Sequence, residues 1–153
     1  MNAYTFLKFL HVLSVVFWIG GAAGLSFIGW RIAKERNRAL LTALLDQGMA
    51  FGQRVIAPSA GIVLLTGLAL VGIGHIGFST FWVWFGYGGV LVQFLVGGFL
   101  IQKRSRELRL LAGAPSGDDV ALVAAARRLW NTQIVYLILF AVVIAAMVIK
   151  PTL

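Results

Sequence analysis

The chain has 153 residues, 60% of them hydrophobic and 12% charged, with 18 glycines, no cysteine and a formal charge of +8; its mean hydropathy is +0.93. This composition excludes a soluble globular fold and describes one membrane domain, 1–153. Without cysteine there are no disulfides, thiolate metal sites, thioether-attached haem or cysteine nucleophiles, and the cations lie between apolar stretches rather than in a basic patch with aromatic readers, so nucleic acid is not a partner.

Residues 9–30 carry no Asp, Glu, Lys or Arg, and a run of that length crosses a bilayer. Lys8 is the one cation ahead of it, and the run exceeds the apolar core of a secretory signal, so the segment is expected to stay as a first span over about 5–30. The next charge-free stretch, 55–102, is too long for one crossing and fits two spans of about 20 residues each with a tight turn between them. Gly77, Phe78, Ser79 and Thr80 supply that turn, and Ser79 or Thr80 can cap the helix that follows. The second and third spans are thus placed at about 55–77 and 80–102, and the last charge-free stretch gives a fourth at 129–149. The fold class is all-α, a four-helix integral membrane bundle.

The first charged loop holds Arg31, Lys34, Arg36, Arg38 and Arg54 against Glu35 and Asp46. The second holds Lys103, Arg104, Arg106, Arg109, Arg127 and Arg128 against Glu107, Asp118 and Asp119. By the positive-inside rule both loops are cytoplasmic and both termini lie outside, with anionic lipids as partners of the basic loops. Trp30 and Trp130 fall at the inner interface, Trp82 and Trp84 at the outer one. Both loops are expected to continue as helix, through residues 39–45 and 102–111, until 113–117 break the second; Ser116 or Asp118 then caps the last helix. Size and topology point to a bacterial plasma membrane.

His11 lies inside the first apolar run, where an imidazole must pair, face water or bind something. At about 100° per residue His11, Val15, Trp18, Ala22, Leu25 and Gly29 share one stripe. Gly20 and Gly24 form a GxxxG on the opposite side, where a neighbouring backbone could approach. The histidine side is left to face a cavity or cofactor, with Trp18 as a flat wall. A histidine satisfied by a backbone carbonyl or interfacial water is the plainer alternative. His75, near the outer end of the second span, is expected at a depth similar to that of His11; two such imidazoles can ligate a haem iron from both faces or share a metal, or His75 can simply anchor the helix end. Arg54, with Pro58 four residues later, opens the second span and can pair with a lipid phosphate or a propionate.

Gly72-Ile73-Gly74-His75-Ile76-Gly77 spells a dinucleotide string but has no strand-turn-helix context or acidic ribose partner. Gln93, Asn131, Thr132 and Gln133 read as interhelical hydrogen bonders. No carboxylate lies inside a span, which argues against proton relays and carboxylate metal enzymes. Met1, Met49 and Met147 show no clustered soft-ligand pattern, so copper handling is disfavoured.

Leu7-Lys8-Phe9-Leu10-His11 with Phe17-Trp18-Ile19-Gly20-Gly21, then Arg54-Val55-Ile56-Ala57-Pro58 with Gly67, and the terminal Val148-Ile149-Lys150-Pro151, resemble the HemJ-type protoporphyrinogen oxidases. The chain is also similar to the copper-resistance protein D group and to uncharacterised integral membrane relatives. The resemblance implies haem b on the first-helix histidine, His11, and carries the haem role to that residue only; the residue pattern above adds Trp18 against the cofactor and His75 as a candidate second ligand. In the HemJ-type family a third-helix lysine also takes part in the oxidation; no lysine lies within 55–102 here, and the family's histidine after the first span is missing from Arg31-Ile32-Ala33-Lys34-Glu35. The resemblance therefore implies a haem-associated relative from the uncharacterised branch, a porphyrinogen or quinone-linked redox protein if it is catalytic. The alternative class is a cofactor-free structural or assembly subunit, self-associating or within a larger membrane complex.

Overall fold

The computed structural model describes residues 2–35, 37–77, 80–114 and 118–150, apart from the side chains of residues 32, 33 and 35. Four helices in it are long and apolar enough to cross a membrane, and no strand occurs among the described residues. The first is α1 (Ala3–Glu35). The second combines α2 (Arg38–Phe51) and α3 (Ala57–Ile73) through a π-helical turn, Gly52–Ile56; the third combines α4 (Phe81–Leu95) and α5 (Gln102–Gly113) through another, Val96–Ile101; the fourth is α6 (Asp119–Ile149).

The second helix, Arg38–Ile73, has 36 residues. At 1.5 Å per residue that is about 54 Å, well beyond a hydrocarbon core of about 30 Å. The loops read as helical from sequence are accordingly extensions of the spans. Their apolar faces form a core of their own, in which Leu41 and Leu45 of α2 meet Leu108 and Ala112 of α5 and Leu122 and Leu129 of α6. Exposed ion pairs join the same elements, Arg109 with Asp46 and Arg38 with Asp119, while Arg38 Nη1 also donates to the Leu111 carbonyl near the end of α5 (3.2 Å). All these charges gather at one end of the bundle, the end that the positive-inside rule assigns to the cytoplasm. Trp30 stacks on Trp130 at that end, with ring centroids 5.8 Å apart, and Lys34 Nζ lies 5.4 Å from the Trp30 ring. At the other end Lys150 covers Trp82 at the same distance.

Two caps match the sequence reading in different degrees. Asp118 caps α6, its carboxylate accepting from Val120 N–H at 2.8 Å; the alternative cap Ser116 lies outside the described residues. Thr80 occupies the position before α4, but its hydroxyl donates backwards to the Gly77 carbonyl (2.7 Å) instead of capping the helix. Ser79 and Phe78 lie outside the described residues.

A second core sits within the spans, made of Trp18, Ala22, Ala60, Val63, Tyr136 and Phe140. It confirms the bundle-facing stripe of α1 and corrects the role given to Gly20 and Gly24. A Cβ on either would meet nothing within 4 Å, because Ser14, Trp18, Ala22 and Ser26 hold the opposite face against the bundle. Close glycine packing occurs instead between α4 and α6, where Cβ atoms on Gly86 and Gly89 would collide with Met147 and Val143. Met147 is unbranched and can swing away, whereas the β-branched Val143 is stiff. Gly89→Ala is therefore expected to destabilise the bundle by about 1–3 kcal/mol and Gly86→Ala by less, measured as loss of helicity on SDS titration; equal tolerance at both sites would refute this packing.

Candidate functional site

His11 projects from α1 onto α3. Its Nδ1 lies 2.9 Å from Thr66 Oγ1, and the Thr66 hydroxyl spends its own hydrogen on the Ile62 carbonyl, 2.6 Å away. With its hydrogen on the Ile62 carbonyl the hydroxyl accepts from His11, an assignment that puts the proton on Nδ1 and the lone pair on Nε2. The ring rests on Gly67, where an added Cβ would stand 3.4 Å from Cε1. His11 thus fills an interhelical seat, and it is not among the residues lining the cavity described below.

His75 plays a backbone role. The second span stops at Ile73, earlier than residue 77, and His75 follows in the left-handed region with φ 50°. His75 N–H bonds to the Gly72 carbonyl (3.4 Å) and Ile76 N–H to the Val71 carbonyl (3.1 Å), the paired bonds of a Schellman helix end whose left-handed residue is ordinarily glycine. The Gly-x-Gly-x-x-Gly string is this helix end. The expected match in depth with His11 does not hold: Thr66, the partner of His11, precedes His75 by nine positions, about 13 Å of helix rise, and the His75 side chain is exposed. His75→Gly is expected to stabilise the fold by about 1 kcal/mol by removing the left-handed penalty of a residue with a Cβ; a lower melting temperature in that variant would contradict the structural role.

Arg54 is exposed on the first π-helical turn. It lies about 18 Å along the helix from Thr66, in the direction away from His75. His11, Arg54 and His75 are therefore spread over roughly the thickness of a bilayer core, and they do not converge on one cofactor. Trp18 is 3% exposed; its Nε1–H donates to Tyr136 Oη (3.0 Å), and its ring meets Phe140 edge to face. Among the described residues no group of three or more His, Asp or Glu side chains could hold a metal ion.

The bundle does hold a partly open cavity of about 380 Å³, in its basic half. That volume falls within the range of small-molecule pockets. The buried Trp18, Tyr136, Leu41 and Leu108 line it, and the exposed Lys34 and Arg127 stand where it opens at the basic end. Both π-helical turns face it, through Gly52 and Ile56 from one and Gly97 and Gly98 from the other. The first has a visible cause: Pro58 has no N–H for the Arg54 carbonyl and its ring would crowd that carbonyl, and the N–H of the preceding Ala57 reaches back to Gly52 in the i→i−5 pattern. Such turns insert a residue, widen the helix and recur at functional sites.

Gln93 is the decisive side chain. It lines this cavity and is 1% exposed, yet neither Nε2 nor Oε1 has a hydrogen-bond partner. The sequence reading made it interhelical glue, and the structure corrects that. The same role does hold for Thr132, which receives a hydrogen bond from Arg104 across α5 and α6. Gln102 Oε1 is a second buried oxygen without a partner on the cavity wall, and Gln133 also lines it. The available signal was that Gln93 is the only side-chain amide in Phe81–Leu95, a segment otherwise made of apolar, aromatic and glycine residues.

The architecture defines a four-span, all-α integral membrane protein with a cavity between its helices. The chain belongs to the family described as predicted integral membrane proteins (DUF2269), which matches residues 5–151. No curated protein and no solved structure matches it. Family membership supports the small membrane protein class and does not extend to the HemJ-type or copper-resistance likeness.

Proposed function

We propose that the protein is a binding protein of a bacterial plasma membrane that holds a hydrophobic small molecule in the cavity of its basic half. The observation behind this reading is the buried Gln93 side chain on the wall of that cavity, neither of whose amide atoms has a protein hydrogen-bond partner. Leaving such a group unmatched costs about 1–3 kcal/mol, and a ligand offering a donor and an acceptor recovers it. The test is native mass spectrometry of protein extracted from its own membranes in mild detergent. A discrete small adduct is expected in the wild type and absent from Gly29→Phe, since Gly29 lines the cavity and has open space around a Cβ. An adduct-free wild type, or equal adduct in both proteins, overturns the reading.

Haem b held through His11 is the second reading, supported by the lone pair that Thr66 leaves on Nε2, the state in which histidines bind metals. Bound haem would supply redox chemistry; His75 and Arg54 are too far along the helix to serve as its second ligand or propionate partner. An optical spectrum after haem reconstitution decides it: a Soret band lost in His11→Ala supports the reading, and a colourless wild type ends it.

A further inference from the structure

We infer that the ligand of this cavity is a single-chain amphiphile with an anionic group at one end and a neutral hydrogen-bonding group, such as a hydroxyl, at the other. The inference rests on the small-molecule reading above and adds the ligand's chemistry from the two poles of the cavity. At the mouth the lining carries Lys34 and Arg127 and, among the described residues, no carboxylate. Lys34 is held over the Trp30 ring, and Trp30 is in turn stacked on Trp130, so a cation and two indoles frame the entrance at interface depth. Cations there favour an anionic head. At the other pole stands the Gln93 amide with both atoms unmatched, between the aromatic cluster of Trp18 and Tyr136 and the second π-helical turn. The walls between the poles are largely apolar, with Ala22, Leu25, Leu44, Leu45 and Ile101 among them, as a hydrocarbon chain requires. Glutamine is neutral and offers a donor and an acceptor at once. The deep group of the ligand is therefore neutral too, and the charge stays at the mouth.

The experiment uses the full chain in phosphatidylcholine nanodiscs, titrated at alkaline pH with palmitate, hexadecanol and ω-hydroxypalmitate, with tryptophan fluorescence and melting temperature as readouts. Palmitate is expected to bind more tightly than hexadecanol by about fivefold for each cation engaged. Lys34→Gln with Arg127→Gln should bring the two together. ω-Hydroxypalmitate is expected to gain about fivefold over palmitate. Gln93→Leu should erase that gain while leaving palmitate binding in place. Hexadecanol binding as tightly as palmitate overturns the anionic pole, and a hydroxyl gain that survives in Gln93→Leu, or is absent from the wild type, overturns the deep pole. If none of the three probes alters fluorescence or melting, the cavity reading itself fails, an outcome separate from either. Melting curves of both variants without probe show whether each is folded before its binding is compared.

Discussion

Trp18→Ala is expected to destabilise the bundle by about 3–5 kcal/mol, the range for removing a large buried aromatic. The reason differs from that in a water-soluble core. Lipid tails are as apolar as the protein interior, so helices associate through packing and interhelical hydrogen bonds and not through release of water. Trp18 supplies both. Its ring stands edge-on to Phe140 with centroids 4.8 Å apart, Phe140 stands edge-on to Tyr136 at 4.9 Å, and its indole N–H ties α1 to Tyr136 of α6 at 3.0 Å. Truncation leaves a void that adjoins the existing cavity and strands the buried Tyr136 hydroxyl. Hydrogen bonds within membranes average about 0.6 kcal/mol, so most of the loss is packing. Trp18→Phe, which keeps an aromatic ring, should lose about 1 kcal/mol. Tyr136→Phe alone should lose a similar amount, and the double variant less than the sum, because one hydrogen bond is removed only once. Reversible unfolding in mixed SDS and maltoside micelles measures all four. A Trp18→Ala loss under about 1 kcal/mol would mean that the aromatic trio does not hold α1 to α6.

The features legible in the sequence are those written within one segment. The spans follow from the positions of charged residues, the end of the third helix from Gly113, the cap of the last from Asp118, and the place of Trp30 and Trp130 at the basic end from their neighbouring charges, though not that they stack. Periodicity also found the buried face of α1, since Trp18 and Ala22 lie on the predicted stripe. What it could not supply is register between helices. Whether His11 is level with His75 depends on how α1 slides along α3, and that is set by the Thr66 contact and the seat on Gly67. His75 was misplaced for a second reason. A hydrophobic count runs straight through Gly74 to Gly77, whereas the backbone stops at Ile73 and needs a left-handed residue two positions later. Gly20 and Gly24 show the opposite failure: their spacing is that of a packing motif, but a motif does not say whether a partner helix lies within the same chain.

The cavity was the least legible feature, because it arises between segments. Pro58 is visible as a helix disturbance, and Gly97 and Gly98 are visible as weak helix formers. Neither announces that two widened turns on different helices will line one space. The basic residues read in the sequence as orientation signals, yet Lys34 and Arg127 also line that space. One set of cations can set topology and frame an entrance because both tasks require positive charge at the same depth.

Gln93→Leu should stabilise the empty protein, and this sign is the sharpest test of the candidate site. Leucine has a volume close to that of glutamine and suits the apolar surroundings, so little packing is lost. The unmatched amide, 1% exposed and without partners, disappears with its penalty of about 1–3 kcal/mol. Gln93→Ala separates the two effects: it removes the same amide but leaves a void, and should therefore be less stable than Gln93→Leu by about 2 kcal/mol or more. Gln93→Glu places an unpaired carboxylate in the same seat and should be the least stable of the three at neutral pH, recovering as the pH falls and the acid becomes neutral. Melting temperatures measured in nanodiscs after removal of bound amphiphiles give the order directly. A Gln93→Leu protein less stable than the wild type would mean that the amide is satisfied in the membrane, for instance by ordered water, and that the bundle needs it for its own structure. A more stable one identifies Gln93 as a residue held at a cost to the fold, which is the signature of a side chain kept for binding.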